Sequence, residues 1–266
     1  MTITFDPTHW ALVLGGSSGF GLATALKLAR HGMNVCVVHR DRRGAMEAIE
    51  PRFEELRSLC AGFLAVNTDA LSDAGRATVL DALSEKMGVS GRVRLLMHSV
   101  AYGNLKPLAT AHDEPVLEGE DFARTVHAMG TSLATWTQDI LARGMFAGDA
   151  RVIAMTSEGN EVAWRGYAAV AAAKCALESV SRAIAVELGP RGIRSNVLQA
   201  GVTDTPALRL IPGSERMKAH ALERNPLGRL TTPSDVADLV CLLCTDEARW
   251  VNGALIRVDG GERIAG

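Results

Sequence analysis

Short, wholly apolar runs alternate along the chain with longer segments whose apolar positions recur every three or four residues. The runs Trp10 to Leu14, Val35 to Val38, Phe63 to Val66, Val93 to Met97, Val152 to Met155, Ser195 to Leu198 and Leu255 to Val258 have strand length. Between them, Leu22 to Arg30, Ala45 to Leu59, Ala74 to Met87, Phe122 to Arg143, Ala168 to Leu188 and Ser234 to Cys244 read as helices. A strand with no polar alternation is buried on both faces. The pattern therefore predicts an α/β fold, a doubly wound parallel sheet of Rossmann type with helices on both faces, in a single domain over 1–266. Ligands of such a sheet bind at the carboxyl ends of its strands. Two segments break the rhythm, Ala101 to Glu118 and Gly201 to Asn225, both rich in proline and glycine. Each follows a strand, so they are expected as long irregular walls of a substrate pocket.

Composition narrows the class of ligand. The 266 residues are 47% apolar and 22% charged with a net charge of −2, and no basic run is interleaved with aromatics. That balance predicts a small-molecule partner and neither nucleic acid nor membrane. The first ten residues carry no basic segment followed by an apolar stretch, which predicts a cytoplasmic protein. Five scattered cysteines suit a reducing compartment, and Cys241 and Cys244 fall on the apolar spacing of a helix, so core thiols are expected and no metal.

The first strand runs into Gly15-Gly16-Ser17-Ser18-Gly19-Phe20-Gly21 and then a helix. Glycines there allow a tight turn and close backbone approach, and the helix start offers free N–H groups to a pyrophosphate. Gly15, Ser17, Ser18, Gly19, Phe20 and Gly21 are accordingly expected to hold a dinucleotide. The second strand ends in His39 and Arg40, where an NAD-specific domain usually places a carboxylate. These two residues favour NADPH; NADH stays open through Asp41.

Tyr167 and Lys174 are seven residues apart in an alanine-rich helix. Nearly two turns put them within about 20° of one face and roughly 10 Å apart, within reach of one ligand. A cation beside a phenol is expected to lower its pKa and make it a proton or hydrogen-bond donor to a reacting oxygen.

Together these residues resemble the short-chain dehydrogenase/reductase family over essentially the whole chain, with Val251 to Gly261 similar to its closing strand. The resemblance implies that Asp69 and Ala70 contact the adenine, and that Ser99, Val100, Ala101, Gly201, Val202, Thr203 and Thr205 line the nicotinamide and pyrophosphate. The commonest branch places its tyrosine four residues before the lysine, here Val170. The spacing of seven, together with Leu95 to Gly103, Ser195 to Thr205 and Glu215 to His220, resembles the enoyl-acyl-carrier-protein reductases. That branch implies NADPH-dependent reduction of the carbon–carbon double bond of a 2-enoyl thioester. Tyr167 would stabilise the enolate and Lys174 would hold the nicotinamide ribose. It also implies fatty-acid metabolism and a homotetramer, with an acyl-carrier protein as a possible partner; Arg209, Arg216, Lys218 and Arg224 offer charge to such a protein's acidic surface or to a coenzyme A phosphate.

Two positions depart from that pattern. Ser157 stands where many enoyl reductases carry an aromatic residue, and its seventeen-residue distance from Lys174 matches the carbonyl-reducing branch. The alternative is therefore a carbonyl or 3-ketoacyl reductase, or an alcohol dehydrogenase, using Ser157, Tyr167 and Lys174; a third is a non-catalytic NADP-binding subunit. The helical asparagine of the common branch is missing, His127 lying in that region and His98 ending the fourth strand.

Overall fold

The computed structural model describes residues 3–110 and 114–265. Positions 111–113 of the first pocket wall, with Met1, Thr2 and Gly266, lie outside the described residues. Seven strands form one sheet: β1 (His9–Leu14), β2 (Asn34–His39), β3 (Phe63–Asn67), β4 (Arg92–His98), β5 (Phe146–Thr156), β6 (Ile193–Ala200) and β7 (Leu255–Val258). Their order is β3-β2-β1-β4-β5-β6-β7 and every pair is parallel. This is the doubly wound, Rossmann-type sheet expected from the sequence. The order reverses between β1 and β4, which opens a crevice at their carboxyl ends.

The helices are α1 (Gly19–Arg30), α2 (Met46–Leu59), α3 (Asp73–Met87), α4 (Gly119–Val126), α5 (Ser132–Ala142), α6 (Ala168–Leu188), α7 (Pro206–Arg209), α8 (Ser214–Arg224) and α9 (Pro233–Leu243). Alternation along β1 divides the core: Leu12 and Leu14 pack with Leu96, Trp136 and Leu177 on the α5–α6 side. Ala11 and Val13 pack with Met97, Val236 and Val240 on the α9 side. Cys241 and Cys244 are buried there, and burial pushes both thiols up.

Two expectations change. The single helix predicted from Phe122 to Arg143 is α4 and α5 joined by a π turn, His127–Thr131. Gly130 sits in that turn against α6, where a Cβ would stand 2.8 Å from the Ala173 carbonyl oxygen, so the extra residue falls where only glycine fits. The segment from Gly201 to Asn225, expected to be irregular, contains α7 and α8. Its breakers are helix-start residues: Pro206 opens α7, where a missing N–H costs nothing, and Thr205 caps it by accepting from Leu208 N at 3.2 Å. Gly213, at φ +82°, turns the chain into α8.

Candidate active site

The turn after β1 is built for close approach. Gly15 has φ +79°, and a Cβ on it would stand 2.4 Å from the Ser99 carbonyl oxygen at the end of β4. A Cβ on Gly21 would meet the Gly15 carbonyl oxygen at 2.2 Å, so the strand, the turn and α1 pack backbone on backbone. Ser18 is the N-cap of α1 yet makes no side-chain cap bond, which leaves an exposed hydroxyl at a helix start. Gly19 lies against Thr205, the Cβ it lacks falling 3.6 Å from the threonine methyl. The glycine turn and the segment after β6 therefore meet over the crevice, and their donor set fits the pyrophosphate of a dinucleotide.

At the end of β2 the side chains divide. The His39 ring, expected at the cofactor, is 2% exposed, packs edge-on against Phe53 at 5.2 Å and bonds Asp41 Oδ2 at 2.8 Å. Asp41 is thereby tied to His39. The Arg40 side chain is 63% exposed, pairs with Asp69 Oδ2 at 3.3 Å and lies over the Tyr102 ring at 5.9 Å. Asp69 Oδ1 accepts from Leu71 N at 3.1 Å, and the Ala70 carbonyl takes the indole of Trp136 at 2.9 Å, which fixes this edge of the crevice.

A cavity of about 230 Å³ lies between the carboxyl ends of β5 and β6 and the α7–α8 segment. Phe20, Leu105, Met129, Val170, Leu208 and Met217 give it an apolar wall, and Ser157, Tyr167, Gly201, Val202, Thr203 and Thr205 face it as well. Ser99 N bonds the Leu14 carbonyl at 3.0 Å, Val100 is half-buried, and Ala101 lines the cavity rim. Tyr167 is the N-cap residue of α6, and its hydroxyl lies 3.3 Å from Ser157 Oγ. Lys174, two turns along, is buried and donates to the Met155 carbonyl at 2.8 Å. Val170, the position where the commonest branch has its tyrosine, is a buried wall residue.

The electrostatics run against the expectation that Lys174 lowers the phenol. Burial raises Tyr167 above its ordinary value, the Ser157 hydrogen bond opposes this, and the Glu158 carboxylate adds to the rise. Burial brings Lys174 down to about 8, with Glu178 pulling the other way. Desolvation is the largest cause for each group.

The basic patch expected on the α7–α8 segment is mostly neutralised. Arg209 makes a two-pronged pair with Asp204 at 2.8 and 3.0 Å, and Lys218 bonds Glu215 at 2.8 Å. Arg224 bonds Glu158 at 3.0 Å and Glu262 at 3.1 Å, so among the described residues Arg216 alone of the four has no carboxylate partner. Glu158 and Glu262 were invisible as site residues in the sequence, yet both line the cavity. The Glu262 carboxylate accepts from Val202 N at 3.1 Å and so steadies the segment after β6. Nothing in the spacing of three residues from the turn after β5, from α8 and from the segment after β7 reveals that they converge.

A family profile described as Enoyl-(Acyl carrier protein) reductase matches residues 15–262. A probable 2,4-dienoyl-CoA reductase of Bacillus subtilis is 31% identical over 94% of this chain and 95% of its own. A cis-4-hydroxycyclohexanecarboxylate dehydrogenase of Sinomonas cyclohexanicum is 29% identical over 94% of this chain and 95% of its own. The crystal structure of an NADH-dependent enoyl-[acyl-carrier-protein] reductase from Aquifex aeolicus superposes with a TM-score of 0.84, at 24% identity and 97% coverage of both chains, which speaks to the fold alone.

Proposed function

The chain belongs to the short-chain dehydrogenase/reductase family and is an oxidoreductase of it, and from that premise we propose that it reduces the carbon–carbon double bond of a 2-enoyl thioester with NADPH. The observation that carries this reading is that Tyr167, seven residues before Lys174, lines an apolar cavity in which position 170 is a buried valine. The bound nicotinamide would supply hydride to the β-carbon. Tyr167, kept protonated by burial, donates a hydrogen bond to the thioester oxygen as negative charge builds there, and water supplies the α-carbon proton that completes the reduction. Lys174, an ammonium below about pH 8, would hold the nicotinamide ribose. Gly15, Ser18, Gly19 and Thr205 take the pyrophosphate, and Arg40 takes the 2′-phosphate. The acyl chain lies along Phe20, Met129, Leu208 and Met217. The assembly we propose is a homotetramer through the long helices, where Val186 on α6 is 77% exposed.

A second reading is favoured by the 3.3 Å contact between Ser157 and Tyr167, which sets a serine and a tyrosine hydroxyl beside one another as a carbonyl reductase requires. Crotonyl-CoA against acetoacetyl-CoA, each with NADPH and with NADH, separates the two. Turnover of crotonyl-CoA at least tenfold above acetoacetyl-CoA supports the first. The reverse ratio establishes the second, and no turnover of any enoyl thioester ends the first.

A further inference from the structure

The catalytic cavity has two unlike ends. One is the apolar wall that includes Phe20, Met129, Leu208 and Met217. At the other, the turn after β5 and the segment after β7 bring Glu158, Asp259 and Glu262 to the same space. These carboxylates are already held in the protein. Glu158 and Glu262 share the Arg224 guanidinium at 3.0 and 3.1 Å, and Asp259 accepts from the backbone N–H groups of Gly261 and Arg263, each at 3.0 Å.

Gln199 is not held. It lies on β6 in register with Thr156 of β5, lines the cavity and is 2% exposed. Its Oε1 is buried without a hydrogen-bond partner, and among the described residues nothing bonds its amide nitrogen. The hydroxyls of the same wall are engaged elsewhere. Thr156 donates to Glu178 at 2.6 Å, Ser157 meets Tyr167, and Thr203 donates to the Gly201 carbonyl at 2.9 Å. Nε of Arg263, another residue of this wall, is likewise buried and unpartnered. Two of the six such atoms among the described residues therefore belong to one side of one cavity. A polar group left unpaired there lowers stability, which a ligand able to pair with it would restore.

We propose that this end of the cavity is a subsite for a hydroxyl group on the substrate, with Gln199 as the residue that selects it. A hydroxyl donates one proton and accepts through its lone pairs, so it can give to the Gln199 carbonyl or a Glu262 oxygen while accepting from an amide or guanidinium N–H. A methyl group in its place leaves the amide unpaired. A carboxylate would add a further negative charge beside three. An ammonium fits less well, because Arg224 and the backbone N–H groups already balance the acids. Gln199 registers with the residue before Ser157, and Glu158 follows that serine, so the selected hydroxyl belongs to the acyl part that enters the cavity. For the carrier of that acyl group the inference rests on the proposed function.

The test compares 2-hexenoyl-CoA with its 4-, 5- and 6-hydroxy derivatives and with 2-hexenedioyl-CoA, each with NADPH. It is run in the unsubstituted protein and in Gln199→Met, which keeps the length of the side chain and removes the amide. In the unsubstituted protein the best hydroxylated thioester should exceed the plain one in kcat/KM by at least about tenfold, mainly through KM, and the diacid should fall below both. In Gln199→Met the hydroxyl preference should shrink to about twofold or less. A second measurement needs no substrate: with the amide unpaired, Gln199→Met should melt at or above the Tm of the unsubstituted protein, whereas a glutamine that serves the fold would leave Tm lower. No hydroxyl preference, an equal preference in Gln199→Met, a preference for the diacid, or a Tm lowered by the substitution each overturns the inference. Hexan-2-one and its hydroxylated derivatives separate this result from the proposed function. Failure of every enoyl thioester, with the hydroxyl preference kept on the ketones, counts against enoyl reduction and leaves the subsite standing. Turnover of neither series overturns both.

Discussion

Gly159 holds the tyrosine in place by having no side chain. It lies in the short 3-10 turn Glu158–Asn160 after β5, with an ordinary negative φ that alanine also adopts. A Cβ built there would stand 2.3 Å from Tyr167 Cε1 and 2.7 Å from Cδ1. Carbon atoms in contact settle at about 3.5 Å or more, so in Gly159→Ala the ring must retreat by about 1 Å. A displacement of that size at a reacting group is worth on the order of a hundredfold in rate. The variant should therefore lose about two orders of magnitude in kcat/KM with crotonyl-CoA. Tm should change little, because the glycine-to-alanine backbone gain offsets part of the local clash. NADPH affinity, read by fluorescence, should stay within about twofold. The double variant Gly159→Ala/Tyr167→Phe should be no worse than Tyr167→Phe alone, since both act through one hydroxyl. Activity of Gly159→Ala within about threefold of the original, or additive losses in the double variant, would refute the placement of Tyr167 as the reacting group.

Tyr167→Phe by itself should lower kcat by at least about a hundredfold, the usual worth of one oxyanion donor, with KM for the thioester nearly constant in steady-state assays. Arg40→Ala should raise KM for NADPH by about tenfold while KM for NADH stays within about twofold; an equal change for both cofactors removes Arg40 from 2′-phosphate recognition. Lys174 gives a pH test of stability. Its folded pKa of about 8 lies below the unfolded value, so between pH 8 and 10 the unfolded chain binds more protons and this residue's contribution to stability rises with pH. Lys174→Met should therefore be more stable than the parent at pH 7.5 by a margin that shrinks toward pH 9.5 in thermal melts, and a constant margin contradicts the burial. Gly15→Ala, with its Cβ 2.4 Å from the Ser99 oxygen and φ +79°, should abolish dinucleotide binding in calorimetry.

Wherever one residue type answered one local requirement, the sequence was enough. Seven apolar runs became seven strands because a strand buried on both faces cannot carry polar alternation, and Val37 and Leu96 have no exposure at all. Gly15 and Gly21 were legible for the same reason, a backbone contact excluding any side chain. The errors came where meaning depends on a distant partner. Pro206 reads as a breaker until Thr205 is seen capping the helix it opens. His39 reads as a cofactor residue from its place at the end of β2, and its ring is packed on Phe53 of α2. Arg224 looks like part of a cationic surface until Glu158 and Glu262 arrive from two other segments. In each case the backbone position was correct and the side-chain partner, remote in sequence, decided the role.

The electrostatics of the pair bear on the direction of the reaction as well as its site. An alcohol oxidation needs a base at the reacting oxygen, which for Tyr167 means the phenolate; a reduction that ends in an enolate needs a donor there. Burial and the Glu158 charge both oppose the phenolate, and the lysine loses its proton near pH 8, before the tyrosine does. Near neutrality the tyrosine is a phenol and the lysine an ammonium, the protonation states that the proposed reduction needs. Ser157 is the one neighbour that favours ionisation of the phenol, through the hydrogen bond at 3.3 Å. Removing it therefore penalises chemistry that passes through phenolate more than chemistry that needs only the donor. Ser157→Ala should depress oxidation of a 3-hydroxyacyl-CoA or reduction of acetoacetyl-CoA by at least tenfold more than reduction of crotonyl-CoA. The serine, more than the tyrosine it touches, distinguishes the two chemistries, because Tyr167→Phe removes the hydroxyl that both of them require.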